Sequence, residues 1–318
     1  MSTICLIYGC TGQDGSYLCK SLLEKGYEVI GISRSSQPDK KKLCQIGIEN
    51  DLKILTSNLD ELEIVQRTIE KVNPNYIYNL SAQSSVGLSF KKPYETYKSI
   101  GSATNSLLEA CRLIDFKGRI FFAGSSEIYG NTNLPAKIGS NVEILSPYAY
   151  SKYQSYLQVR LYREIYGLNA VTGVLFNHES PIRDNTFVTQ KIISGAIECS
   201  KNKFFKLNLG NINIARDWGW AEDFVEAIHP IIHAAKLKDH IICTGKLTKL
   251  TKFIDLSFKY FNLNWRDHVI SNEKFFRKKD IIISYGDPKP LKKDLNWEAK
   301  IGVKELINNL IEHKLQNQ

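Results

Sequence analysis

Short apolar runs alternate with longer amphipathic stretches along the first half of the chain. Runs at 4–8, 28–32, 52–55, 76–80, 119–123 and 169–175 predict strands. Stretches at about 15–26, 60–72, 93–115 and 147–167 predict helices, each long enough for a crossover between parallel strands. This rhythm predicts an α/β fold, a doubly wound parallel sheet of the Rossmann kind with helices on both faces. After Phe176 the pattern changes to loops rich in Pro, Asn and Gly with shorter elements, where a smaller C-terminal substrate-binding lobe is expected. Residues 221–244, a helical pattern followed by Ile241-Ile242-Cys243, read as one more helix and strand returning to the first domain. The expected division is therefore 1–175, joined by 221–244, and 176–318. No internal repeat or low-complexity linker interrupts it.

Composition narrows the class. A chain of 318 residues with 43% hydrophobic content suits one large domain or two interleaved ones. Against 33 Asp and Glu stand 42 Lys and Arg, a formal charge of +9 that draws anionic ligands. The densest basic run, Lys40-Lys41-Lys42, lacks the interleaved aromatics of a nucleic-acid platform, so no nucleic-acid partner is expected. Seven cysteines without C-x-x-C spacing predict free thiols in a reducing cytoplasm. His229 and His233 share a helical spacing, but the sequence offers no third ligand; packing or surface roles, and no metal, are expected. The first residues run straight into a strand pattern, so secretion is not expected. No uncharged apolar stretch of about 18 residues occurs, so no membrane span is expected either.

Gly9-Cys10-Thr11-Gly12-Gln13-Asp14-Gly15 falls between the first strand and a helix carrying Tyr17, Leu18, Leu22 and Leu23. Glycines in that place let the backbone approach a pyrophosphate at a helix N-terminus, the dinucleotide fingerprint. Roughly twenty residues on, an NAD enzyme places an acid for the ribose hydroxyls. This chain has Ser33-Arg34-Ser35-Ser36 instead, a guanidinium and hydroxyls that suit a 2′-phosphate, and NADP is the expected cofactor.

Two further segments carry chemistry: Ser125-Ser126-Glu127-Ile128-Tyr129-Gly130 and Tyr148-Ala149-Tyr150-Ser151-Lys152. Tyr148 and Lys152 stand one helical turn apart. A free phenol titrates near 10, so the pair predicts a phenolate stabilised by the ammonium, with Lys152 also holding the nicotinamide ribose. Tyr148 would take a hydroxyl proton as hydride leaves the same carbon. Glu127 would be a second base, removing a proton beside the new ketone. Packing of Tyr148 and a solvent-facing Glu127 are the bland alternatives; their position downstream of the glycine fingerprint favours chemistry.

At these residues the chain resembles the extended short-chain dehydrogenase/reductase family, and within it the nucleotide-sugar dehydratases. The resemblance runs over nearly the whole length. It includes Thr11-Gly12-Gln13-Asp14-Gly15, Ala82-Gln83-Ser84-Ser85-Val86, Ser125-Ser126-Glu127, Ser146-Pro147-Tyr148-Ala149 with Lys152, and Gly286-Asp287-Pro288. Its most particular stretches are Asn177-His178-Glu179-Ser180-Pro181 and Arg216-Asp217-Trp218-Gly219. The family's catalytic Thr, Glu, Tyr and Lys fall on Ser125, Glu127, Tyr148 and Lys152. The resemblance implies cofactor contacts at Gly9, Cys10, Thr11, Gly12, Gln13, Asp14, Arg34, Ser35, Ser36, Asn58 and Leu59. It implies others at Leu80, Ser81, Ala82, Gln83, Ser84, Tyr148, Lys152, His178 and Arg183. For a sugar nucleotide it points to Ser84, Ser125, Glu127, Tyr148, Asn177, Val188, Lys191, Arg216 and Arg277. Of these, Lys191, Arg216 and Arg277 can neutralise a diphosphate of about two negative charges.

Three positions depart from the family pattern. Ser125 replaces a Thr and keeps the hydroxyl. Asn58 stands where an Asp contacts adenine, so the acceptor survives without the charge. The segment after Arg34 has lost one of two adjacent Arg and is shorter; in relatives it reaches across a subunit interface. A homo-oligomer is implied, a dimer through the helices at 93–115 and 147–167, with a tetramer left open. The activity implied is an NADP-dependent lyase acting on a GDP-linked hexose, with GDP-mannose as the expected substrate and a GDP-4-keto-6-deoxy sugar as product. The alternatives are a dehydratase of another nucleotide sugar such as a GDP-heptose, an epimerase or decarboxylase of the same superfamily, and a non-enzymatic NADP-binding module.

Overall fold

The computed structural model describes residues 3–317. Its first half runs β1 (Ile4–Tyr8), α1 (Gln13–Glu24), β2 (Glu28–Ser33), α2 (Lys41–Gln45), β3 (Lys53–Thr56), α3 (Leu62–Val72) and β4 (Tyr76–Asn79). Then follow α4 (Val86–Lys91), α5 (Pro93–Tyr97), α6 (Ala103–Leu113), β5 (Arg119–Ser125), α7 (Pro147–Tyr166) and β6 (Asn169–Leu175). The strands pair in parallel in the order β3-β2-β1-β4-β5-β6. Side-chain alternation within β1 shows why both faces need helices. Cys5 and Ile7 enter a core with Leu18 and Leu22 of α1, whereas Leu6 and Tyr8 enter another with Val65 and Ile69 of α3 and Leu107 of α6. The doubly wound α/β sheet expected from the sequence is present.

Local chemistry sets the helix ends. Ser146 Oγ accepts the Ala149 N–H at 3.0 Å, Pro147 opens α7, and Gly167 at φ 69° closes it. The single helix expected over 93–115 is instead divided: a π-helical turn at Lys98–Ser102 joins α5 to α6. Gly101 lies within that turn, where a Cβ would come 2.9 Å from Gln154 Oε1 of α7 and 3.2 Å from the Tyr97 ring. The wider turn accommodates this close approach of α7.

The second half contains β7 (Asn177–Glu179), α8 (Val188–Lys201), β8 (Leu207–Leu209), β9 (Ala215–Trp220), α9 (Ala221–His233) and β10 (His240–Ile242). It ends with β11 (Leu247–Lys249), α10 (Leu250–Lys259), β12 (Val269–Ser271), β13 (Ile283–Ser284), α11 (Lys289–Leu295) and α12 (Val303–Gln316). β10 pairs in parallel with β6 as the seventh strand, and α9 lies against α1. Around β9 a small mixed sheet gathers β11, β13 and β7, while β8 pairs with β12. The helices α8 and α12, 14 residues each, are longer than the loop-rich sequence suggests. Their apolar faces build a separate core with Trp218, Phe253 and Phe258. The chain comes back once more near its end, where Leu291 and Trp297 enter the core beneath the main sheet. Among the described residues, no helix is long and apolar enough to cross a membrane.

Candidate active site

The β1–α1 turn is built for close approach. Gly9 has φ +85°, and a Cβ there would stand 2.7 Å from the backbone of Leu80 and Ser81. At Gly15 a Cβ would meet the Gly9 carbonyl oxygen at 2.0 Å, so α1 can start against the turn only without a side chain. The Gly12 N–H donates to Gly9 O at 3.0 Å. Together these glycines leave a cradle at the α1 N-terminus that suits a pyrophosphate. Asn79, the last residue of β4, accepts both the N–H (3.2 Å) and the Oγ–H (2.7 Å) of Ser81, fixing the facing wall. Gln83 Nε2 donates to Thr96 Oγ1 at 3.1 Å, and Ser84 is exposed.

β7 locks that cradle from the side. His178 Nε2 lies 2.9 Å from Asp14 Oδ1 and Nδ1 lies 2.7 Å from Phe176 O. Both ring nitrogens therefore face acceptors, an arrangement that holds the ring as imidazolium. Burial works against charge on both partners, yet their mutual attraction wins: Asp14 is held well below the usual carboxylate range and His178 is raised. Gln13 bridges the elements, donating to Asp14 Oδ1 at 2.9 Å and accepting from Ser180 Oγ at 2.8 Å. Arg183 sits 3.7 Å from the buried Glu179 carboxylate, its guanidinium 3.7 Å from the Phe187 ring centroid. Burial raises Glu179 despite that neighbour.

Ser125 ends β5 and begins the 3-10 turn Ser126–Tyr129 that carries Glu127. Ser125 Oγ accepts the Glu127 N–H at 3.4 Å and also hydrogen-bonds the Tyr148 phenol. Lys152 Nζ donates to Ala123 O at 2.8 Å and lies 5.9 Å from the Tyr148 ring centroid. Here burial outweighs the phenolate stabilisation expected of Lys152. It pushes Tyr148 up to about 12, against the Ser125 hydrogen bond and the Arg183 charge, and pushes Lys152 down to about 8. Glu127 is also raised by burial and by Asp280, with Arg277 and Arg216 opposing.

Arg216 reaches this pocket from β9. It is 4% exposed, and Nη1 donates to Ala215 O at 3.0 Å. Its neighbours in the Arg216-Asp217-Trp218-Gly219 stretch have structural tasks. Asp217 accepts from Thr244 N–H, Thr244 Oγ1 and Gly245 N–H at 3.0, 2.6 and 2.8 Å. Trp218 enters the lobe core, and Gly219 is bare because a Cβ would lie 2.1 Å from the Phe224 ring. Arg277 is 3.7 Å from Asp280. Asn177 is half-buried at the start of β7, Val188 opens α8, and Lys191 is exposed one turn on.

The structure thus brings Ser125, Glu127, Tyr148 and Lys152 to the carboxyl ends of the strands beside Asp14, His178, Arg183, Arg216 and Arg277. A second group lies apart: Arg34, Ser35 and Asn58 line a surface depression with Asp60 and Glu61 beyond β2 and β3. Ser36 is exposed nearby and Leu59 is buried beneath. Three contributors went unassigned in the sequence: Asn79, Glu179 and Asp280. Glu179 lies inside a recognised stretch, and Asp280 is the lone acid after Arg277-Lys278-Lys279, but neither spacing signals a role.

The chain is similar to known proteins over nearly its whole length. The family model described as GDP-mannose 4,6 dehydratase matches residues 6–310. GDP-mannose 4,6 dehydratase 1 of Arabidopsis thaliana is 37% identical, covering 98% of this chain and 90% of its own length. GDP-mannose 4,6 dehydratase of Homo sapiens is 34% identical, over 97% of this chain and 90% of its own. Among solved structures, dTDP-glucose 4,6-dehydratase from Bacillus anthracis in complex with NAD superposes with a TM-score of 0.86. It is 16% identical and covers 100% of this chain and 98% of its own, a likeness of fold.

Proposed function

The chain belongs to the GDP-mannose 4,6-dehydratase family, and from that premise we propose that it removes water from GDP-mannose to leave GDP-4-keto-6-deoxymannose. The observation that carries the reading is Glu127, a desolvated carboxyl two residues past Ser125, whose hydroxyl accepts the Glu127 N–H, and within the influence of the Arg216 and Arg277 charges. A reductase or epimerase needs the hydroxyl and the phenol alone; a dehydratase needs a second acid/base group.

The glycine cradle fits a dinucleotide, with Tyr148 and Lys152 placed for the nicotinamide ribose and Arg34, Ser35 and Ser36 for the far phosphate. When bound, the nicotinamide supplies a temporary store for the hydride taken from C4 and returned at C6. Tyr148, held by Ser125, takes the C4 hydroxyl proton. Glu127 takes the C5 proton that the new ketone acidifies. Its raised pKa suits it to return a proton as water leaves C6, a task Tyr148 could share. Arg216, Arg277 and Lys191 hold the diphosphate.

NADP is the proposed cofactor rather than NAD. Of the two acids in the depression beside Arg34, Asp60 is engaged by Lys98 at 3.1 Å and Glu61 by Asn58 Nδ2 at 3.1 Å. Among the described residues no carboxylate pairs with Arg34, which supports its use on a 2′-phosphate. A homodimer is proposed through α5, α6 and α7. Tyr150, Leu157, Leu161 and Ile165 form an exposed apolar stripe along α7, continued by Tyr94 and Leu113. A cytoplasmic location belongs to the same proposal, supported by seven unpaired cysteines.

Mass spectrometry of GDP-mannose after incubation with the protein and NADP tests the activity. A product lighter by one water, absent with Glu127→Gln, is expected. An unaltered mass with GDP-mannose and conversion of a GDP-heptose would move the substrate, and an isomer of unchanged mass would point to an epimerase.

A further inference from the structure

The histidine pair on α9 lies at the opposite end of the sheet from Tyr148 and Glu127, beside the first residues of the strands. His229 and His233 stack with ring centroids 4.0 Å apart. Their Nε2 atoms converge on a single phenol oxygen, Tyr27 Oη, at 3.1 and 3.3 Å. We propose that His229, His233 and Tyr27 form a binding site for a borderline divalent transition ion such as Zn²⁺ or Cu²⁺, clamping α9 to the start of β2.

The donor geometry carries the argument. Ligand atoms about 2.0–2.1 Å from zinc at the corners of a tetrahedron stand about 3.3 Å apart, and the two oxygen–nitrogen edges measured here fall at that spacing. His233 Nδ1 lies 2.8 Å from His229 O, so that nitrogen carries the proton and Nε2 keeps its lone pair. All three donors are half-exposed, so an ion can reach them from solvent. The surrounding charge is nearly balanced. Glu226 and Lys25 pair at 2.9 Å, and the Arg119 guanidinium is occupied by Ile232 O and Ala234 O. Tyr76 packs on His233 from the remaining side, ring centroids 4.4 Å apart. Among the described residues no three His, Cys, Asp or Glu converge; the third donor is a phenol 202 positions before His229.

Binding changes no oxidation state. Two imidazole lone pairs and the Tyr27 oxygen enter the metal shell, and the phenol proton leaves to solvent, so affinity rises with pH. An oxygen and two imidazole nitrogens favour Cu²⁺ over Zn²⁺ and disfavour Mg²⁺ or Ca²⁺. The ion would cross-link the residue preceding β2 to α9 without touching the reacting atoms.

Zn²⁺ titration of the tag-free full chain against a chromogenic chelator tests the site. One equivalent should bind, His229→Gln and His233→Gln should each weaken it by roughly tenfold or more, and Mg²⁺ should not compete. With Cu²⁺, a visible phenolate-to-metal charge-transfer band should be present in the wild type and absent in Tyr27→Phe. Turnover should be unchanged in all three variants. Zn²⁺ should also raise the melting temperature of the wild type but not of Tyr27→Phe, a readout that survives if a histidine variant folds poorly. Failure of the wild type to bind one equivalent, or equal affinity in a His229→Gln/His233→Gln double variant, would overturn the site.

Discussion

Replacing the half-buried Asp14 with Asn removes the negative charge from its pair with buried His178 while keeping the shape of the cradle. Without the Asp14 carboxylate at 2.9 Å, the His178 imidazolium keeps the Phe176 carbonyl but faces burial and Arg183, both of which disfavour its charge, and it is expected to give up its proton. The pH dependence follows from the two shifts. Asp14 is lowered from 3.8, so its contribution is present above that value and is lost as pH falls through its folded pKa. His178 is raised from 6.5, so its contribution is complete below 6.5 and is lost as pH rises through its folded pKa. The pair therefore stabilises most between about pH 4 and about pH 6.5. In the variant a neutral His178 competes with an unfolded chain that protonates its histidine, at about 1.36 kcal/mol per pH unit below the unfolded pKa. That term amounts to about 1.4 kcal/mol at about pH 5.5 and vanishes by about pH 8.5. The wild type gains in the same interval, so the stability gap should be at least about 1.4 kcal/mol wider at about pH 5.5 than at about pH 8.5. Urea unfolding of both proteins at the two pH values, without nucleotide, measures it. A gap that is equal at both, or wider at the alkaline value, refutes the ion pair.

Glu127→Gln should still oxidise substrate at C4 but lose dehydration by roughly 10² to 10⁴ fold, whereas Tyr148→Phe should show no reduced cofactor in a single turnover. Arg34→Asp should reverse the preference for NADP over NAD by about tenfold or more in kcat/KM, and an unchanged ratio would remove Arg34 from the phosphate site. Gly15→Ala should abolish NADP binding and lower Tm, because its Cβ would meet Gly9 O at 2.0 Å; normal binding by fluorescence titration would contradict the close packing. Burial has lowered Lys152 to about 8, so its charge is present below that value and lost above it, and kcat/KM should fall on that alkaline limb. In Lys152→Arg, whose guanidinium does not titrate there, the residual activity should keep no such limb.

The alternation that predicted the main sheet is legible because its inner parallel strands are buried on both faces and read as apolar runs, whereas edge strand β3 is only partly covered. The glycine turn and the Tyr148–Lys152 spacing are legible for a related reason: each is a local arrangement whose partners lie within a few residues. What could not be read is long-range. Tyr27 meets His229 and His233 across two elements, Asn79 props Ser81 from the end of β4, and Asp217 anchors the loop at Thr244 and Gly245. The break of the 93–115 helix is also tertiary, because Gly101 answers to Gln154 of α7. The second-half helices escaped for another reason. Their polar faces and the loops between them mask apolar faces that only the shared core of α8, α10 and α12 explains.

Charge placement in the site also could not be read from spacing, and it constrains how the chemistry runs. Desolvation moves each ionisable group toward its neutral form: Glu127 and Tyr148 upward, Lys152 and Arg216 downward. For Glu127 the direction is helpful, since a carboxyl raised toward neutrality can both take and return a proton in one cycle. For Lys152 the cost is small, because about 8 leaves the ammonium charged at neutral pH. For Tyr148 the direction is unfavourable, and spacing alone suggested the reverse. Lys152 directs its ammonium at Ala123 O, so the opposing influences on the phenol are the Ser125 hydrogen bond and the Arg183 charge. Arg183 is held in place by Glu179 and Phe187, which makes the otherwise unassigned Glu179 part of what opposes the effect of burial on the phenol. If Tyr148 is the base, the groups that oppose its burial come from β5 and from the loop after β7 together, outside the single turn of α7 that carries Tyr148 and Lys152.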